Sequence, residues 1–377
     1  MQAWRSKVIK EPKPIGSYPP ADVTFLLKDI SEAQLEIALD ARERAIQSGT
    51  HYSEMLPQEH LPSADYLNLY HETLKLTAQK VALAVGAVAE LIRMRKGANT
   101  VLVSLARAGT PVGILIKRYL QEVHQLNLPH YSISIIRGKG IDENALLYML
   151  QKHPEAKLQF VDGWTGKGAI RKVLTEACGK MARDYGIILD DDLAVLADPG
   201  YCTDMFGTRD DFLIPSACLN STVSGLMSRT VLRDDLIGPD DFHGSKYYKD
   251  WLEHDVSNHF IETIVPYFSG VTEEAQAFAE VLLAHPPEIS WQGLQDIKAI
   301  QKTFQIPDIN LIKPGVGETT RVLLRRVPWR ILVDRMDNPH IRHILLLAET
   351  RGVPVEVYPC LTYSCCGIIQ SVKGDAE

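Results

Sequence analysis

The sequence predicts an α/β protein in two parts, a parallel-sheet domain over residues 1–305 and a small α/β domain over 306–377. Three observations predict it. Strand-like apolar runs alternate with helical patterns between residues 100 and 199, which is the spacing of a parallel sheet. A chain of 377 residues is too long for one ordinary core. Finally, "FQIPDINLIKPG" (304–315) breaks the pattern before a second set of strands and helices begins.

The elements follow in chain order. After a proline-rich leader, "DISEAQLEIALDARERAIQ" predicts a helix capped near Ser31, and "SADYLNLYHETLKLTAQKVALAVGAVAELIRMRKG" a long amphipathic one ending at Gly97. "TVLVSLARAG" (100–109) is a buried strand entering a turn, and "PVGILIKRYLQEVHQL" the helix after it. "YSISIIRGKG" (131–140) and a helix near 143–153 form the next step, "LQFVDGWTGKGAIRKVL" (158–174) the third, and "LAVLADP" (193–199) a fourth strand. Residues from about 200 to 305 mix loops and short elements, a sensible place for a hood over a ligand site. "TTRVLLRR", "WRILVD", "HIRHILLLAETRG" and "VPVEVYP" build the small domain.

Composition bounds the function. With 45% hydrophobic and 23% charged residues the chain reads as a soluble globular protein, and a net charge of −7 excludes nucleic-acid binding over its whole surface. Charge is local, however: between Lys313 and Arg351 eight Lys/Arg stand against four Asp/Glu. The N-terminus lacks an apolar signal region, and "LTAQKVALAVGAVAELI" is interrupted by Gln79, Lys80 and Glu90, so a cytoplasmic protein with no membrane partner is expected. Six cysteines without CxxC spacing suggest neither a zinc site nor a disulfide framework, and no protein-held metal is expected. A homodimer is kept among the possible assemblies.

Ligands of a parallel sheet bind at the carboxyl ends of its strands. Three loops there suit an anion. "SLARAGTP" offers Arg107, Ala108, Gly109 and Thr110; "IRGKGIDE" offers Arg137 and Lys139; "VDGWTGKGA" offers Asp162, Gly163, Thr165, Gly166, Lys167 and Gly168. The last is not a nucleotide-binding P-loop, because Gly168 stands where Ser or Thr must follow the lysine. In "RTVLRDDLIGPDDFHGSKYYKDWLEHD" (229–255), Arg229, His243, Lys246, Tyr247 and Tyr248 are suited to orienting a base-like acceptor.

On "VSLARAGTPVG" and "FVDGWTGKGAI", residues 98–200 resemble the type I phosphoribosyltransferases. The resemblance implies a type I phosphoribosyltransferase-like sheet and displacement of diphosphate from phosphoribosyl diphosphate by a nitrogen nucleophile of an unknown base-like acceptor. Arg107 to Thr110 would hold the diphosphate, Gly163 and Thr165 to Gly168 the 5-phosphate, and Asp162, Lys139 and Arg137 would be catalytic. Since Gly163 replaces a second acid, Mg²⁺ would be bound mainly through the substrate diphosphate.

Residues 308–370 resemble the Pelota-type RNA-binding domains, with "KPGVGETTRVLLRR" opening a helix. That resemblance implies structured RNA as a partner, contacted by Gly317, Glu318, Thr319, Arg321, Arg325 and Arg326. With "GTRDDFLIPSACLNSTVSGLMSRTVL" (207–232), the whole resembles the phosphoribosyltransferase-plus-Pelota proteins encoded with bacterial tellurium-resistance and stress systems. That family is also known as the cysteine protease StiP. The protease alternative would use Cys202 or Cys218 as nucleophile with His243 or His254 as base. A non-catalytic RNA-binding protein is the third alternative.

Overall fold

The structure, a computed structural model, describes residues 3–325 and 327–369. At its centre lie six parallel strands in the order Thr24–Phe25, His130–Ile136, Thr100–Ala106, Lys157–Trp164, Leu193–Ala197 and Met205–Thr208. Val101, Leu102, Val103, Phe160, Val161, Ala194 and Val195 are all buried, as strands covered on both faces must be. The four strands expected from the sequence are present. The two edge strands were not expected, being only two and four residues long.

The strand order reverses beside Thr100–Ala106. The next strand in the chain, His130–Ile136, pairs on one side of it, and the strand after that, Lys157–Trp164, pairs on the other. The loops leaving Thr100–Ala106 and Lys157–Trp164 diverge at this point and open a crevice. Gly109 makes the close approach possible: a Cβ there would lie 2.4 Å from the carbonyl oxygen of Val161. The long helix occupies Ala64–Lys96, ending at Gly97 in a positive-φ conformation (φ 80°), and packs against both the sheet and the Phe268–Ala284 helix.

A helix capped near Ser31 does not form. The chain is helical only over Leu39–Gln47, while Lys28–Asp29 and Glu36–Ile37 are short strands. Ile30 and Leu35 are drawn into a satellite core with Leu56, Val231 and Ile237, and the Ser31 hydroxyl donates to Asp29 Oδ1. Long-range burial overrides the local helical pattern.

The C-terminal sheet runs Ile312–Pro314, Cys365–Ile368, Arg330–Val333, Val355–Val357, with the last two strands parallel and the other pairs antiparallel. Its core joins Ile312, Leu332, Cys366 and Ile368 to Ile297 and Ile300 of the Gln292–Thr303 helix. The protein is therefore mixed α/β, with a parallel central sheet and a small C-terminal α/β region. Among the described residues no helix is long and apolar enough to cross a membrane.

Candidate functional site

A cavity of about 410 Å³ opens at the crevice. Leu105 to Ala108 and Asp162 to Trp164 form its floor, Ser216, Ala217, Leu219, Asn220 and Arg229 come from the segment after the sheet, and Gly317, Glu318 and Arg321 come from the C-terminal region. Three stretches far apart in sequence thus meet at one end of the sheet.

Of the expected phosphate residues, Arg107 and Ala108 line the cavity. The Arg107 guanidinium donates to the Met227 carbonyl at 2.9 Å and pairs with Glu59 at 3.0 Å. Thr110 does not reach the cavity: its hydroxyl is buried against Ser132 Oγ at 2.8 Å. Arg137 lines the cavity and stacks over Tyr52, its backbone N–H donating to the Tyr52 hydroxyl at 2.7 Å. Lys139 is exposed and outside the lining. The loop that carries Arg137 and Lys139 is a tight turn between Ile136 and Gly140, closed by a hydrogen bond from Lys139 N to Ile136 O.

Asp162 and Gly163 line the cavity, and the Gly163 amide donates to Asp162 Oδ1 at 2.7 Å. Burial, only partly offset by that hydrogen bond, pushes the Asp162 carboxyl up to about 7.

The Thr165–Gly168 loop is different. Thr165 donates its hydroxyl to the Asp198 carboxylate, Lys167 donates to the carbonyls of Ile309 and Ile312 at 3.0 and 3.2 Å, and the Gly166 carbonyl accepts from the Tyr363 hydroxyl at 3.1 Å. A Cβ on Gly168 would lie 2.1 Å from the Trp291 ring. The expected phosphate cradle is roofed by the C-terminal region, and its lysine is a tie between the two parts.

The RNA-contacting helix is also used internally. It spans Val316–Arg325, and the Val316 amide donates to Asp211 Oδ1 at 2.9 Å, so a carboxylate from the first part already caps it. Gly317, Glu318 and Arg321 face the cavity, and Arg321 donates to Asn220 Oδ1 at 2.8 Å. Thr319 is buried, its hydroxyl directed to the Lys313 carbonyl. Arg325 is exposed, whereas Arg326 lies outside the described residues. Of the aromatic and basic group after residue 228, only Arg229 reaches the cavity; Tyr248 stacks on Trp251, and Lys246 pairs with Glu36.

Both candidate cysteines are buried. Cys202 Sγ lies 3.4 Å from the Gly200 carbonyl, and burial followed by the Asp198 charge pushes its thiol up to about 12. Cys218 ends the Pro215–Cys218 turn, whose Ser216 and Ala217 line the cavity. Burial pushes its thiol to about 12 as well, against the opposing pull of Arg321. The histidines do not form the expected dyad: the His243 ring is bonded to Ser134 Oγ at 2.8 Å, and His254 is exposed. Glu59 and Asn220 were missed by sequence reasoning, because neither carries a motif and both act on arginines remote in the chain.

The family described as "Tellurite-like stress resistance cysteine protease StiP" matches residues 16–265, and the one described as "PELOTA RNA binding domain" matches residues 291–371. Among curated proteins, the cysteine protease StiP of Acinetobacter baylyi (strain ATCC 33305 / BD413 / ADP1) is 36% identical over 358 residues, covering 91% of this chain and 90% of that protein. These likenesses overturn phosphoribosyl transfer as the expected activity, and with it phosphoribosyl diphosphate and its acceptor as substrates. The relative's name matches the protease alternative instead.

Proposed function

This chain belongs to the StiP family, and from that premise we propose that it acts as a cysteine protease in stress resistance, with a C-terminal region that binds RNA. The observation that carries the reading is the 36% identity to a curated cysteine protease across 91% of the chain. The geometry favours Cys218 over Cys202 as the nucleophile. Cys218 closes the turn that walls the cavity and has Arg321 as a favourable charge, whereas Cys202 lies beneath the Gly166 and Gly200 carbonyls with Asp198 opposing ionisation.

In this mechanism the Cys218 thiolate attacks a peptide carbonyl, the amine leaves with a proton, and water hydrolyses the thioester to free the acid and restore the thiol. The resting thiol is neutral, so catalysis requires that substrate loosen the packing over Cys218. Magnesium, expected only through a diphosphate, has no step in thiol chemistry.

The RNA reading rests on the Pelota match, with its contact surface moved to the exposed end of the helix. There Arg325 is exposed, and Arg330 stacks over Trp329 at 3.9 Å.

The test is hydrolysis of a denatured protein substrate by the full chain. Cys218→Ala should reduce turnover at least a hundredfold, and Cys202→Ala should retain most of it. Absence of any peptide cleavage, or activity that survives Cys218→Ala, refutes the assignment.

A further inference from the structure

Arg229 is the oddest residue in the cavity. Among the described residues its guanidinium has no hydrogen-bond or ion-pair partner, although the backbone around it is firmly held: Ser228 N donates to Lys246 O at 2.9 Å and Val231 N to Gly244 O at 2.8 Å. It is an arginine presented by a rigid frame rather than one trailing from a loose loop. The Arg229 side chain is exposed to the water of the cavity; desolvation by the surrounding protein first, and then the charges of Arg107, Arg321 and Arg42, lower its pKa to about 9.

The same crowding acts on Arg321, whose pKa is lowered to about 10 by burial and by Arg325 and Arg107. Four arginines line this cavity: Arg107, Arg137, Arg229 and Arg321. Against them stand Glu318 in the lining and Glu59 behind Arg107. Two positive charges are left uncompensated, and burial pushes the remaining carboxyl, Asp162, up to about 7, which weakens its offset. Arg137 and Arg229 are exposed to solvent at this cavity, so the surplus is solvated in the free protein and open to an entering anion.

We infer that this cavity binds the dianion of a small phosphate monoester, gripped by Arg107, Arg229 and Arg321. A monocarboxylate would neutralise only half of the surplus, whereas a tetrahedral dianion neutralises it and offers acceptors in three directions to guanidinium forks. The apolar wall of Leu105, Ile135, Ile170, Phe212 and Val223 takes the organic portion of the ester. Because Arg229 comes from the segment after the sheet and Arg321 from the C-terminal helix, the ligand also bridges the two regions matched by separate families. The site contains no cysteine and stands whether or not the thiol reading does.

The experiment is thermal unfolding of the full chain at constant ionic strength with inorganic phosphate, phenyl phosphate or benzoate. Phosphate should raise Tm by about 2 °C or more at a hundredfold excess over Kd, and phenyl phosphate should act at lower concentration. Arg229→Gln should have an unliganded Tm equal to or above that of the unsubstituted chain, since it relieves repulsion, and should lose at least tenfold in phosphate affinity. Arg229→Lys should recover part of that loss. Absence of any shift with either phosphate, an equal shift with benzoate, or undiminished affinity in Arg229→Gln overturns the inference. If Arg229→Gln does not fold, isothermal titration of the unsubstituted chain decides: phosphate binding that survives equimolar benzoate supports the site, and no binding heat refutes it.

Discussion

The Asp211 carboxylate accepts a hydrogen bond from the Val316 amide at 2.9 Å, and so caps the first helix of the C-terminal sheet unit from the other side of the cavity. Its second oxygen accepts from the Ser364 amide at 2.8 Å. One buried acid thereby satisfies two backbone donors of the C-terminal region, 105 and 153 residues away.

Removing that acid should loosen the C-terminal region. Asp211→Ala leaves two buried amides without partners, at a cost of roughly 2–4 kcal/mol. Urea unfolding should show an earlier transition, and an unchanged midpoint would contradict the role assigned to the cap.

The same residue has a pH signature. Burial pushes the Asp211 carboxyl up to about 7 despite its amide donors, so the folded chain holds this proton more tightly than the unfolded chain. Its contribution to stability is therefore full below the unfolded value of about 4 and is lost as pH rises toward 7. Asp162 acts in the same sense. Urea midpoints measured from pH 4 to pH 8 should fall less steeply in Asp211→Asn than in the unsubstituted chain; identical slopes would rule this out.

The cysteines should react in a definite order. Cys360 is exposed, whereas Cys202 and Cys218 are buried with thiols pushed up to about 12, so the reactive thiolate is scarce at neutral pH. Iodoacetamide followed by peptide mapping should modify Cys360 first. Rapid native labelling of Cys202 would show that its packing is not as described.

Lys167 should behave as a tie rather than a ligand residue. Lys167→Met removes two charged donor bonds, to Ile309 and Ile312, and should cost roughly 1–3 kcal/mol of stability while leaving phosphate affinity within a factor of two. A large loss of affinity at unchanged Tm would restore the loop to the binding site.

RNA binding should follow the exposed end of the Val316–Arg325 helix. Arg325→Glu and Trp329→Ala should each weaken binding, with a smaller salt dependence for Arg325→Glu, whereas Arg321→Gln should change it little because that side chain faces the cavity. Gel-shift titrations at two salt concentrations separate these cases, and a dominant effect of Arg321→Gln would place RNA inside the cavity.

The sequence by itself determined the alternation of strands and helices. Leu193 to Ala197 is a continuous apolar run and Val101 to Leu105 is interrupted only by the buried Ser104, a pattern that suits a doubly covered strand, and Gly97 can end its helix without a steric penalty. It also determined that the loops at Arg107 and Asp162 lie at one end of the sheet, since parallel strands place their carboxyl ends together. What those loops face was decided by tertiary structure. Thr165 and Lys167 look like a phosphate cradle in isolation, yet their polar atoms are consumed by Asp198, Ile309 and Ile312. Arg321 reads as an RNA contact until Asn220, 101 residues earlier, turns it toward the cavity. Likewise, Ser31 reads as a helix cap until the burial of Ile30 and Leu35 draws the chain into strands. Local periodicity sets which elements form, but the use of a polar side chain depends on which donors and acceptors the fold brings within about 3 Å, and those come from anywhere in the chain.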